Sequence, residues 1–220
     1  MSPEFIPPMQ EIARAAGELL MSHFRGGSFL TAAGEDARQP LRIEYKGEVD
    51  LVTEADRQAE ALIVGQLRQH FPGHSIMGEE GTRSETGSDY RWYVDPLDGT
   101  TNFAHGYPVF CVSLALEKNG RLIAGVIYDP TRKEMFAAEQ GAGSRLNGER
   151  VRVSATGELA ESLLGTGFPS HKRHQNPNIH FYHQLSLRSH GVRRAGSAAL
   201  DLANVCCGRY DGFGEFNLNP

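Results

Sequence analysis

Trp92-Tyr93-Val94-Asp95-Pro96-Leu97-Asp98-Gly99-Thr100-Thr101-Asn102-Phe103 compresses a strand, a tight turn and a helix start into twelve residues, and the rest of the chain is placed relative to it. Trp92, Tyr93 and Val94 are the bulky and β-branched types that suit a strand. Pro96 removes a backbone donor and holds Asp95 extended, so the strand is expected to stop at Asp95. Asp98-Gly99 is turn chemistry, and Thr100-Thr101-Asn102 carries the chain into a helical turn whose first N–H groups lack partners inside the helix. Two carboxylates thus flank an anion-ready helix end. The Leu97 carbonyl between them has no ladder to join and is a third oxygen free to coordinate.

Upstream, Gly78-Glu79-Glu80-Gly81 follows the short run Ser75-Ile76-Met77 and sets two more acids just past a second strand end. If these acids met without a counter-ion, each close pair would cost up to about 4 kcal/mol at ~4 Å in an effective dielectric of about 20. A divalent cation removes that cost. Oxygen ligands alone, with no Cys or His in the motif, point to a hard ion such as Mg²⁺.

Gly78-Glu79-Glu80, then Asp95 to Phe103, then Gly196-Ser-Ala-Ala-Leu-Asp201 resemble, in order and spacing, the inositol monophosphatase family of Mg²⁺-dependent, lithium-sensitive phosphatases. The resemblance runs from about Ile12 to the last residue. It implies an α+β fold, a layered α/β/α/β/α sandwich. It implies metal ligation by Glu79, Asp95, the Leu97 carbonyl and Asp98. Two or three Mg²⁺ ions are expected, with Mn²⁺ as a substitute and Li⁺ as an inhibitor. Glu79 and a Thr100/Asp56 pair would orient or deprotonate the attacking water, and the N–H groups of Gly99 and Thr100 would hold the phosphate. Asp98, Gly196, Ala198 and Glu215 would meet the substrate, with Glu215 bonding its hydroxyls. Lys46 matches a lysine near phosphate or metals, and Glu80 is a further candidate.

The same resemblance implies one phosphatase domain over 1–220: an N-terminal lobe, 1–155, of helices and antiparallel sheet carrying the metal site, and the start of a C-terminal α/β lobe, 156–220. Relatives continue past Asn-Pro with Trp-Asp and a helix, that Asp ligating the second metal. The chain stops at Pro220, so an incomplete C-terminal part, weaker second-ion binding and low activity are expected. A homodimer acting on a small phosphate monoester is implied. The Thr-Thr-Asn stretch favours a monophosphatase over the bisphosphate enzymes of the superfamily. Inositol, sugar, histidinol and nucleotide monophosphates all remain open as substrates. Some bacterial relatives are non-catalytic partners in transcription complexes, a reading from a different class.

Composition is consistent with this. With 220 residues, 40% of them hydrophobic, the chain buries a sizeable core. Net charge −5 argues against a nucleic-acid surface and favours small-molecule chemistry. Three cysteines make no disulfide framework, which suits a reducing cytoplasm. Neither a signal peptide nor a membrane span is expected.

Along the chain, Met9, Ile12, Ala13, Ala16, Leu19, Leu20 and Phe24 recur at helical spacing after Pro8. Residues 41–46 alternate like a strand. Thr53 is placed to cap a second helix with Asp56 at its third position; Asp56 is thus either a capping acid or the partner of Thr100. Asn119-Gly120 and Asn147-Gly148 predict hairpins, the second returning through Val151-Arg152-Val153. Beyond Leu159 strands and helices alternate: a strand over 162–168, a helix over 179–188, a short strand ending at Arg193-Arg194, a helix over 198–207 capped by Ser197, and a final strand over 210–216. Cys111 reads as core rather than nucleophile. His171, His174, His180, His183 and His190 lack zinc spacing and read as solvated or structural.

Overall fold

The computed structural model describes residues 5–24, 43–45, 51–168, 176, 178–216 and 218. Helix α1 (Ile6–His23) begins earlier than the sequence suggests, with proline among its first positions, where a missing N–H costs no hydrogen bond. Its inner face is Met9, Ile12, Ala13, Ala16 and Leu20. A backbone ribbon of β1 (Ile43–Tyr45) and β2 (Leu51–Thr53) precedes helix α2 (Glu54–His70). That helix buries Ala59, Ile63, Val64 and Leu67 and, on the same side, two acids, Asp56 and Glu60.

These helices pack on a mixed sheet of β3 (Ser75–Gly78), β4 (Arg83–Ser84), β5 (Tyr90–Asp98), β6 (Cys111–Lys118), β7 (Arg121–Asp129), β8 (Glu134–Glu139), β9 (Gly143–Leu146) and β10 (Glu149–Arg150). The order is β10-β9-β8-β7-β6-β5-β3-β4. Every neighbouring pair is antiparallel except β3 with β5. Both predicted hairpins form, and Asn119, Gly120, Asn147 and Gly148 all take the positive φ that a two-residue turn of the favoured twist requires. The second returns through Glu149–Arg150 rather than Val151–Val153, because the two-residue turn leaves the next residues directly opposite Leu146 and Arg145.

Along β5, Trp92 and Val94 are buried beneath the helices, while Tyr93 and Asp95 alternate to the other face. The strand does not end at Asp95. Pairing runs regularly to Asp95 opposite Ser113, slips, and resumes with Asp98 opposite Cys111. Pro96 removes a ladder donor without turning the chain away, so the outcome is a bulge and not a terminus. Asp95 and Asp98 are therefore the two ends of one irregularity in a paired strand.

Helix α3 (Thr100–Ala104) follows at once. Beyond a 3₁₀ turn at Leu159–Glu161, a second sheet has β11 (Leu163–Thr166) between β12 (Gly191–Arg193) and β13 (Gly212–Gly214), all parallel. Helix α4 (Asn178–Ser186) packs on β12. Helix α5 (Ala198–Cys206) lies between the sheets, touching β6 and β7 on one side and β11 and β13 on the other. The architecture is an α+β layered sandwich. No described helix is long and apolar enough to cross a membrane.

Candidate active site at the strand bulge

The parallel alignment of β3 and β5 brings the Glu79 turn beside the bulge, where the Glu79 N–H donates to the Val94 carbonyl at 3.0 Å. The Glu79 side chain thereby stands close enough to Asp95 for its charge to disfavour ionisation there. Burial first, and then the negative charges of Asp98 and Glu79, push the Asp95 carboxyl well above the ordinary range. Its Oδ1 accepts the Leu97 N–H at 3.0 Å, which closes the bulge as an Asx-type turn.

Asp98 is also pushed up by burial, but Ser197 and the first amides of α5 hold it partly back. Its Oδ2 accepts the Ser197 hydroxyl and the Ala199 N–H, each at 2.7 Å. The sequence leaves the start of α5 open for a ligand oxygen. The structure spends the Ala199 amide on Asp98 instead, since a carboxylate is a good match for a helix N-terminus. Ser197 is the expected cap as well, accepting the Leu200 N–H at a weak 3.4 Å. The Cys111 thiol, fully buried beside Asp98 Oδ2 (3.9 Å) and Ser197 Oγ (3.6 Å), is pushed well up by burial and then by the Asp98 charge. A thiol so disfavoured as thiolate suits the core role read from sequence.

Thr100 and Asp56 meet. The Thr100 hydroxyl lies 3.3 Å from Asp56 Oδ1 and 3.0 Å from the Leu97 carbonyl, sharing one proton between two acceptors. Asp56 stands in the first turn of α2, where a capping acid belongs, and is also the buried partner of Thr100, with 1% of its surface exposed. The Leu97 carbonyl is therefore occupied on one side, and its second lone pair remains. Gly99 takes φ +102°, and a Cβ there would come within 2.8 Å of the Val109 carbonyl, so only glycine fits between the bulge and α3. Asn102 ties this turn to the segment before α5, donating to the carbonyls of Val109 (2.7 Å) and Ala195 (2.9 Å).

Gly196, at φ +90°, passes close to the Asn102 amide, and Ala198 opens α5 beside it. Glu215 lies just past β13, its carboxylate against Gly167 where any Cβ would collide, and burial raises its pKa against the pull of Arg194. Glu80 is half-buried next to Glu79. Lys46 lies outside the described residues, as do His171 and His174. His180, His183 and His190 are exposed. Among the described residues, no group of three Asp, Glu, His or Cys side chains is arranged as a ready-made ion cage. The donor chemistry nonetheless fits a hard cation: oxygen atoms only, crowded so that Asp95 resists ionising without a positive charge nearby.

Three residues escaped the sequence reading. Asp201, 1% exposed with Oδ1 unpartnered, sits in the first turn of α5 and is pushed to about 7 by burial, then by Asp98 and Glu215. Ser197 was legible as a cap but not as a donor to Asp98 across 99 residues of sequence. Glu60 was hidden because one turn beyond Asp56 it looks like any surface acid of an amphipathic helix.

The sequence pattern of the inositol monophosphatase family matches residues 3–220. The chain is 46% identical over 214 residues to the Nus factor SuhB of Pseudomonas aeruginosa, covering 94% of this chain and 74% of that protein. It is 45% identical over 184 residues to the inositol-1-monophosphatase of Mesorhizobium japonicum, covering 82% of this chain and 69% of that one. Among solved structures, the extragenic suppressor protein SuhB of Bartonella henselae superposes with a TM-score of 0.86 at 39% identity, covering 97% of this chain and 79% of that one. The Thermotoga maritima IMPase superposes at 0.85 with 37% identity, covering 98% and 77%. With the carboxylates gathered at the bulge, the Thr100–Asp56 contact beside them and these likenesses over nearly the whole length, the chain belongs to the inositol monophosphatase family.

Proposed function

We propose that the protein hydrolyses a small phosphate monoester, an inositol monophosphate or a related sugar or polyol phosphate, using water and a hard divalent cation, Mg²⁺ or in its place Mn²⁺. One observation carries this reading: the bulge and the Glu79 turn bring the carboxyls of Asp95, Asp98 and Glu79 together, where burial and then their mutual charge raise Asp95, beside the Thr100 hydroxyl held by buried Asp56. Glu79, Asp95, Asp98 and the Leu97 carbonyl are the residues that would hold the cation. When bound, such an ion neutralises phosphoryl charge and acidifies water.

The remaining chemistry belongs to the chain itself. Thr100 Oγ1 accepts the proton of the attacking water as its own hydroxyl proton passes to the Asp56 carboxylate, which also keeps the hydroxyl oriented. The amides of Gly99 and Thr100, at the start of α3, face the phosphoryl oxygens and fix the ester in line. Glu215, Gly196 and Ala198 contact the alcohol portion. Phosphate release from a panel of inositol, sugar, histidinol and nucleotide monophosphates, with Mg²⁺ titration, Li⁺ inhibition and chelator control, tests the reading. Release that is unaffected by chelator, or by Asp95→Asn, would overturn it.

A second reading, that of a partner in a transcription complex, is supported by the 46% identity to a protein named as a Nus factor. Retention of RNA polymerase components on the immobilised chain, undiminished by Asp95→Asn, is the result it predicts.

A further inference from the structure

Helix α2 presents two buried acids one turn apart, and so on one face. The first, Asp56, reaches Thr100. The second, Glu60, is 5% exposed and turns toward the loop that carries Glu79. Its Oε2 accepts the Glu80 N–H at 2.7 Å, and its Oε1 accepts both the Thr82 N–H (3.1 Å) and the Thr82 hydroxyl (2.6 Å). A Cβ on Gly78 would collide with this carboxylate, which explains glycine at a position of ordinary φ. The loop is closed by Gly78 N–H to the Thr82 carbonyl at 2.7 Å and tied to β5 by Glu79 N–H to Val94. Glu79 is thus gripped from both sides, by the strand that carries Asp95 and by the helix that carries Asp56.

We propose that Glu60 is a positioning residue of the phosphoester site: its carboxylate anchors the Glu79 turn to α2, and so fixes where Glu79 stands relative to Asp95 and to the Thr100–Asp56 pair. The proposal rests on the metal-dependent reading above. A carboxylate is required rather than an amide, because all three groups facing it are donors. An amide NH₂ would oppose either the Glu80 or the Thr82 N–H. Only one residue separates Glu80 from the Gly78 pivot, so loss of the anchor frees Glu79 to swing away from Asp95.

The test uses the full chain freed of metal. Backbone amide exchange across 78–82 reads the anchor directly, and Glu60→Gln is expected to speed exchange at Glu80 and Thr82. Mn²⁺ binding followed by electron paramagnetic resonance, well below the melting temperature, reads the position of Glu79. Glu60→Gln should weaken binding by about 10-fold or more, as supporting groups behind metal ligands do. Thr82→Val should weaken it by a smaller factor, and Thr82→Ser, which keeps the hydroxyl, should restore it. If Glu60→Gln does not yield folded protein, the two Thr82 variants decide alone. Variants that melt lower yet bind Mn²⁺ as the wild type does would reduce Glu60 to a stabilising staple and overturn the proposal. A wild-type chain that binds no Mn²⁺ at millimolar concentration would instead bring down the metal-dependent reading, and this proposal with it.

Discussion

Ser197→Ala removes a hydroxyl that bonds Asp98 at 2.7 Å across 99 residues of chain, in a position only 1% exposed. A hydrogen bond to a charged group contributes about 1.5–3 kcal/mol. The weak cap to Leu200 adds roughly 0.5–1 kcal/mol, near the low end of the range for N-caps. The sum, about 2–4 kcal/mol, corresponds in a chain of this size to a fall in melting temperature of roughly 4–16 °C. Calorimetric melts of the metal-free protein measure it, with Ser197→Thr, which keeps the hydroxyl, as the control expected to melt near the wild type.

The loss should depend on pH in a definite sense. Ser197 favours the ionised form of Asp98, so its contribution is present above the Asp98 pKa and fades as pH falls through it. A cycle with Asp98→Asn should show coupling of about 1–2 kcal/mol, because each change removes the same bond. If Ser197→Ala melts within about 2 °C of the wild type, or if the cycle shows additivity, the Asp98 carboxylate is not what joins α5 to the bulge.

Gly99→Ala combines a left-handed φ with a close approach to the Val109 carbonyl and should cost about 1–3 kcal/mol more than Gly141→Ala, where φ is +83° but nothing lies within 4 Å; equal melts would refute the steric account. Asp201, at about 7 in the folded chain, binds a proton more tightly there than when unfolded, so wild-type stability should fall between the ordinary carboxylate range and that pH and level off above it. Asp201→Asn should lose this slope, gaining on the wild type by up to roughly 1.4 kcal/mol per pH unit in urea titrations. Glu134 is held low by its paired bonds to Arg209, both at 2.6 Å, which join the start of β8 to the segment after α5. Glu134→Gln should cost about 0.5–1 kcal/mol at neutral pH, and the difference should begin to fade below the unfolded carboxylate range and be gone once pH has fallen through the lowered value of folded Glu134; a deficit that persists below that would show that packing rather than charge is responsible.

Much of the architecture was legible in the residues. The two Asn-Gly turns predicted hairpins because φ > 0 at both centres is a local demand that few other residue pairs meet. The helical faces of α1 and α2 followed from apolar spacing, and Ser197 was found as a cap because capping is settled within one turn. The bulge was misread as a strand end. Proline announces a lost hydrogen bond, but whether pairing resumes beyond it depends on the neighbouring strand, here on Cys111 standing opposite Asp98.

What the sequence by itself determined is the chemical inventory: oxygen ligands at two strand ends, a glycine turn into a helix, and the motif order that marks the family. Those features are local, set by residue types a few positions apart. Only the tertiary structure decided how the inventory is wired. The Asp98 carboxylate closes onto Ser197 and Ala199, and Glu60 grips the Glu79 turn. Each of these contacts spans from about 20 to 100 residues of chain, and none carries a local signature. A polar side chain buried by folding must find its partner among whatever groups the packing of distant elements brings within hydrogen-bonding reach.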